Sequence, residues 1–266
     1  MRWPQVSAVV SAVVCALMGS VGVTAPAAVA ASSPGARANA VLARMTLEEK
    51  LELMGSGAAG VPRLCIPPLR FVDGPNGIGE GSPGVTAFPN AENVGASWDP
   101  SLAYRYGVAL GGEAAGKGDA LLAAPTINIV RSPLWGREPE TFGEDPFLTS
   151  QLVAPEIRGI QSRQVIAEVK HFAAYNQETG RFGSQLLAPA VNVVASERAL
   201  QEIYFPGFRA AVQHGGTGSV MCSYNQINGT PSCQDAQTLG VLKGFGPVPG
   251  VSPRQACCAP RRGPVG

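Results

Sequence analysis

The sequence predicts an α/β fold with parallel strands, and three observations carry that prediction. Apolar runs such as "ALLAAPTINIV" and "QVIAEVKHF" are too continuous for half-exposed strands and suit strands covered on both faces. Stretches with helical spacing and identifiable caps alternate with those runs, the pattern of strand–helix–strand units. Polar residues with chemistry in them fall where the strands end, the carboxyl edge at which parallel α/β folds bind ligands. A barrel and a doubly wound sheet both satisfy these observations.

The elements follow in order. Met1–Gln5 carries one positive charge, at Arg2, and Val6–Val23 is apolar and rich in small residues. Ala28-Val29-Ala30 then forms a small-x-small cleavage site, so residues 1–30 read as a secretory signal peptide and the protein as secreted. Gly19, Gly22 and the lack of a stop-transfer charge cluster argue against a membrane anchor. No later stretch reaches the ~18 uninterrupted apolar residues of a transmembrane helix, so no membrane partner is expected after cleavage. Residues 31–44 are small and polar and read as a linker.

Thr46 and Glu49 form a capping box at the head of "MTLEEKLELMG". "LRFVDGPNG" predicts a buried strand over Leu69–Val72 that ends at Asp73 in a Gly/Pro turn. A helix capped by Asp99, with Pro100 at its first position, leads into "ALLAAPTINIV". A further helix begins after Asp145-Pro146, and "QVIAEVKHF" is the next strand. Ser196 starts a helix, "GTGSVMCSYN" is a strand, and Asp235 caps a short helix. The last 22 residues, 245–266, are rich in Pro, Gly and Arg, aperiodic and without an acidic residue, an irregular tail.

Composition excludes several function classes. The 266 residues are 45% apolar, enough for a substantial core, and only 15% charged with a net charge of +1. Such a balance provides no field for nucleic acid or an acidic partner. No Gly-rich phosphate loop, zinc-ligand spacing or G-x-S-x-G elbow is present, so the sequence implies no cofactor and no metal. Cys15 lies in the signal; Cys65, Cys222, Cys233, Cys257 and Cys258 remain. Cys222 and Cys233 flank the turn-rich "SYNQINGTPS" and either form a local disulfide in an oxidising compartment or stay two buried thiols.

The candidate site residues are Asp73, Arg137, the Lys170-His171 pair and Tyr224, each at a predicted strand end or in the loop beyond it. Each also has a plain structural reading. Asp73 suits a turn former, Arg137 a loop staple to Glu138, Glu140 or Glu144, His171 a satisfied core histidine, and Tyr224 packing against Met221. Four such residues on one edge weigh toward a site. His214, in "QHGG" at a helix end, reads as a capping residue rather than a catalyst. A strand sends neighbouring side chains to opposite faces, so Lys170 and His171 can face one ligand only if the backbone departs from strand geometry. A cis peptide bond within "KHF" would allow it.

Five motifs in this order, "FVDGPNG", "RSPLWGREPETFGEDP", "AEVKHFAAYNQETGR", "ERALQEIYFPGF" and "VMCSYNQINGTPSC", resemble the N-terminal domain of family 3 glycoside hydrolases. The resemblance runs from about Met45 to Lys243. It implies a (β/α)₈ TIM-type barrel followed by an α/β sandwich domain. The family removes β-linked glucose or xylose from the non-reducing end with retention of configuration. Its partners are therefore β-linked oligosaccharides or aryl glycosides. By the same resemblance Asp73 holds two sugar hydroxyls in the innermost subsite. Arg137, Lys170 and His171 hold others, Met221 adds an apolar wall, and Tyr224 lies close to the nucleophile.

The sequence also departs from that pattern. A retaining glycosidase needs two carboxyl groups about 5–5.5 Å apart. The family takes its nucleophile Asp from the strand after "VLKGFG" and its acid/base Glu from the second domain. Here "PVPGVSPRQACC" follows, and no Asp or Glu occurs after Asp235. Glu144-Asp145 suit a helix cap and loop staple better than a catalytic pair. The expectation is an incomplete barrel over 45–244, with four or five strands where eight close a barrel, a sugar subsite and no catalytic residue. It stands beside the alternative of a non-catalytic sugar-binding remnant. An unclosed sheet would leave strand edges and apolar faces uncovered.

Overall fold

Local capping chemistry sets where the helices begin, and apolar runs set the strands between them. A computed structural model describes residues 33–55, 60–79, 81–183 and 189–246. The signal peptide read over 1–30 lies outside the described residues, as does the tail from residue 247 on. The chain divides into two units, Met1–Met45 and Thr46–Gly266.

In the first unit, helix α1 spans Pro34–Leu42. Ser33 caps it, its Oγ accepting from Ala36 N at 3.2 Å, and Pro34 occupies the first helical position. Part of the stretch read over 31–44 as a linker is thus helical. Ser33-Pro34 is a start signal, and Ala36, Ala38 and Ala40 are strong helix formers.

In the second unit, helix α2 (Leu47–Gly55) opens on the capping box, with Glu49 N donating to Thr46 Oγ1 and Thr46 N to Glu49 Oε2. Strand β1 is Phe71–Asp73, and Asp73 is its last residue. Helices α3 (Ala91–Ser97) and α4 (Pro100–Lys117) follow, the latter capped by Asp99. Strand β2 is only Leu121–Ala123, all buried, because Pro125, which has no backbone N–H to donate, interrupts the run "ALLAAPTINIV". Helix α5 (Pro146–Gln161) is capped by Asp145, and strand β3 is Ile166–Phe172. The two-residue strand β4 (Asn192–Val193) precedes a helical stretch capped by Ser196. That stretch comprises α6 (Glu197–Ala199) and α7 (Pro206–Ala210), with π-helical turns at Leu200–Tyr204 and Ala211–Gly215. Strand β5 (Ser219–Cys222), two short strands β6 (Gln226–Ile227) and β7 (Thr230–Pro231), and helix α8 (Ala236–Gly244) complete the described chain.

The main sheet has the order β1-β2-β3-β5 and all its pairings are parallel. Among the described residues it holds four strands and does not close, so the α/β, incomplete-barrel expectation holds. Its C-terminal edge carries Asp73, Ala123, Phe172 and Cys222, which brings the loops beyond them together. A small second sheet, β4-β6-β7, lies in those loops.

Helices α4 and α5 pack backbone against backbone. A Cβ on Gly107 would stand 2.2 Å from Glu156 O, and one on Gly159 2.3 Å from Tyr104 O. The core between helices and sheet is built from Leu110, Leu122, Leu152, Ile157, Val169 and Phe172, with Phe172 stacked on Phe205 at 5.5 Å and edge-on to Phe208 at 5.0 Å.

One carboxyl is out of place in that core. Glu156 on α5 is 1% exposed, its Oε2 has no partner, and burial pushes its pKa up to about 8. The folded pKa exceeds the ordinary 4.5, so its contribution to stability is full below pH 4.5 and is lost as pH rises through about 8. Glu156→Gln should remove that slope and stabilise the protein at alkaline pH by on the order of 4 kcal/mol. Urea unfolding of both proteins across this range tests it; parallel stability curves would refute it.

Candidate active site

The site is built on the end of β3. The Lys170–His171 and Phe172–Ala173 peptide bonds are both cis, and the β3–β5 register shifts between Lys170 and Phe172. Lys170 and His171, neighbours in sequence, both turn their side chains to the polar cluster at the sheet's C-terminal edge, and each is 1% exposed.

Lys170 Nζ donates to Asp73 Oδ1 across the width of the sheet. The Lys170 side chain is 2% exposed and that of Asp73 46%, so the carboxylate keeps an open side while it neutralises the buried ammonium. The loop after Asp73 is pinned around it. Gly74 N donates to Asp73 Oδ1 at 3.0 Å and Gly79 N to Asp73 O at 2.7 Å. Tyr106 Oη lies within hydrogen-bond distance of the Pro75 and Pro89 carbonyls. Gly77 sits at φ 121° with Thr86 O packed where a Cβ would be, so a side chain there would distort the loop. This loop, Asp73 and Glu140 line a cavity of about 420 Å³.

Asn128 fixes His171. Its Oδ1 accepts from His171 N and lies 3.0 Å from Nδ1, while its Nδ2 donates to His171 O at 2.9 Å. The backbone partners orient the amide, so Nδ1 carries the ring proton and Nε2 presents a lone pair. Arg137 Nη1 donates to that lone pair at 3.2 Å. Burial, then the charges of Lys170, Arg137 and Arg181, hold the His171 pKa well below 6.5, so the ring is neutral.

Arg137 forms a two-pronged pair with Glu140, Nε–Oε1 at 2.8 Å and Nη2–Oε2 at 2.6 Å. Arg137 therefore staples Glu140, as the loop-staple reading has it, and also touches His171. Its guanidinium also lies 5.9 Å from the Tyr175 ring, which His171 meets at 5.0 Å and Trp135 edge-on at 6.1 Å. Arg181 covers the other end of the cluster, 5.5 Å from Tyr175, 4.9 Å from Phe182 and 5.1 Å from Tyr224. Glu178 ties Arg181 and Trp135 together, at 3.3 Å and 3.2 Å.

Asp73, Arg137, Lys170 and His171 are thus joined directly or through one neighbour, and Tyr224 joins them through Arg181 and Tyr175. Met221 stands opposite Lys170 in the β3–β5 register and faces the same side. His214 lies apart from the cluster in the last π-helical turn, where its carbonyl accepts from Arg158 Nη1. Sequence reasoning missed Asn128, Trp135, Tyr175, Glu178 and Arg181, and named Glu140 only as one of three staple partners for Arg137. Asn128 left a trace, as the polar residue in "INIV". The others read as ordinary loop residues, since what assigns them is tertiary pairing.

Cys222 and Cys233 are joined by a disulfide, with Cα atoms 5.5 Å apart. It brackets Tyr224, and Ser223 and Ser232 fasten the same loop to the carbonyls of Ala173 and Phe172. A crosslink over a sequence separation of 11 contributes about 3 kcal/mol by loop entropy. Cys233→Ser is expected to lower the urea midpoint accordingly; an unchanged midpoint would mean the serine contacts alone hold the loop.

The cluster offers carboxylates as acceptors and ammonium and guanidinium groups as donors, each already compensated. Such a surface fits a ligand whose groups both give and take hydrogen bonds, as polyhydroxylated rings do.

Comparison with known proteins supplies the context. A model described as the glycosyl hydrolase family 3 N terminal domain matches residues 40–245. A β-glucosidase of Rhizobium radiobacter is 44% identical over 209 residues, 75% of this chain and 25% of its own length. The structure of DesR, a β-glucosidase from Streptomyces venezuelae in complex with D-glucose, superposes with a TM-score of 0.70 at 37% identity. It covers 78% of this chain and 27% of DesR. An exo-β-xylosidase bound to a xylobiose aziridine probe gives a TM-score of 0.71 at 31% identity, covering 80% and 30%. The chain spans about a quarter of the length of the curated relatives it matches.

Proposed function

The chain belongs to glycosyl hydrolase family 3 by its N-terminal domain, and from that premise we propose that its site holds the terminal sugar of a β-glucoside or β-xyloside. The observation that carries this reading is the polar chain Asp73–Lys170–His171–Arg137–Glu140 at the sheet's C-terminal edge. Asp73 accepts from hydroxyls on its open side. Lys170 and Arg137 bind others, the neutral His171 binds one where a hydroxyl takes the place of Arg137 at Nε2, Met221 forms an apolar wall, and Tyr224 stands at the rim with Arg181. A hydroxyl missing from the ring would leave a hydrogen-bonding group of the site without its sugar partner, which makes rejection of wrong sugars steep.

Chemistry in this family would hydrolyse the glycosidic bond with retention, through a nucleophile and an acid/base. The carboxylates of the site are occupied: Asp73 by Lys170, Glu140 by Arg137 and Glu178 by Arg181. In our reading the 266 residues supply the sugar-binding half of a glycosidase site and neither catalytic carboxylate. Acting alone, they are a sugar-binding remnant. We further propose that the chain is exported, on the N-terminal signal pattern and on the Cys222–Cys233 disulfide, a bond that persists in oxidising compartments.

Calorimetric titration of the chain with D-glucose and D-xylose tests the proposal. Saturable heat with one of them supports it, and flat titrations with both would overturn it.

A further inference from the structure

One carboxyl of β3 has no role in the contacts above. Glu168 stands two residues before Lys170, so strand alternation puts both side chains on one face. Ala167 and Val169, fully buried, take the other face with the helices. The register to β5 sets Ser219 beside Glu168 and Met221 beside Lys170. Ser219 Oγ donates to Glu168 Oε1 at 2.7 Å, while Oε2 is buried and unpartnered. Burial raises the Glu168 pKa; the Ser219 hydrogen bond and the Lys170 charge draw it down, and Asp73 pushes it up.

We propose that Glu168 is a positioning residue for Lys170, a second carboxylate on the same strand face that acts on the buried ammonium through space and leaves the open side of Asp73 better able to accept from sugar hydroxyls. The inference rests on the sugar-binding reading of Asp73. The groups that face Glu168 are Lys170 on its own strand, Ser219 on β5 and Asp73 on β1. When Glu168 is ionised, its charge and that of Asp73 both act on Lys170, and of the two only Asp73 touches it. When Glu168 takes a proton from solvent, Lys170 draws on Asp73 alone, and Asp73 binds sugar less well. The attraction is reciprocal: whatever Lys170 does to the ionisation of Glu168, Glu168 does to the charge of Lys170.

Two measurements on the full chain test this. The first follows the ¹³C signal of the Glu168 carboxyl through a pH titration in the wild type and in Lys170→Met. The midpoint should rise by about one pH unit in the variant; an unchanged midpoint would overturn the proposal. The second titrates glucose into the wild type and Glu168→Gln at one pH below and one pH above the carboxyl midpoint that the first measurement gives. Affinity should fall about tenfold in the variant at the higher pH, and the two proteins should converge at the lower one. A difference equal at both pH values indicates a merely structural role and overturns the proposal, as does no difference at all. A wild type that binds no glucose removes the sugar-binding reading itself, and the carboxyl titration then decides by itself whether Glu168 and Lys170 are coupled.

Discussion

Incubated with p-nitrophenyl β-D-glucoside or β-D-xyloside, a polypeptide of these 266 residues is expected to release no p-nitrophenol above the buffer rate. Glycosidic bonds are stable in water, and enzymes that cleave them supply acceleration of ~10⁶-fold or far more. In a retaining enzyme most of it depends on two free carboxyl groups flanking the bond, one to attack and one to protonate. Each carboxylate in the cluster is committed elsewhere. Asp73 neutralises a buried ammonium, and Glu140 is gripped by both prongs of Arg137. Glu178 holds Arg181 and Trp135. Freeing any of them would leave its cation without a partner. A discontinuous assay sensitive to one turnover per hour is sufficient. Measurable, enzyme-dependent release would sink this part of the account.

Asp73→Ala is expected to weaken glucose binding by about 100-fold or more. Two charge-assisted hydrogen bonds to hydroxyls, at roughly 1.5–3 kcal/mol each, disappear together. The substitution also leaves Lys170 buried without its partner. Removing one member of a buried pair typically costs about 3–5 kcal/mol of stability, and less here because Asp73 is half exposed. Asp73→Asn separates the two effects. It keeps the shape and one acceptor for Lys170 but not the counter-charge, so it should lose less stability than Asp73→Ala and still lose most of the affinity. An Asn variant that binds glucose like the wild type would remove Asp73 from the subsite.

Much of the fold was legible because its signals are local. Thr46 with Glu49, Asp99, Asp145, Ser196 and Asp235 each cap a helix through hydrogen bonds to residues two or three positions away. Strand lengths were harder. The run from Leu121 on looks like one long strand, but the strand stops at Ala123 and contact with β3 resumes beyond Pro125 as a single bridge, Thr126 to Lys170. Helix α3 and the small β4-β6-β7 sheet left no periodicity to read, since each is only a turn or a few residues long.

The site divided along the same line. Asp73, Arg137, Lys170 and His171 announced themselves as polar groups at strand ends, and the edge of a parallel sheet gathers such groups by topology. The residues that orient them did not. Asn128 clamps His171 from 43 positions away, and Trp135 meets Glu178 across the same separation. No spacing rule connects partners so distant. Lys170 and Asp73 are 97 positions apart and could be guessed as neighbours only because both end strands of one sheet.

The central claim is that this site holds a sugar without cleaving its bond, and one calorimetric titration with p-nitrophenyl β-D-glucoside tests both halves together. The account predicts a saturable heat of binding that returns to baseline after every injection. A sustained thermal power after injection would show turnover, and a flat trace would show an empty site; either would contradict it.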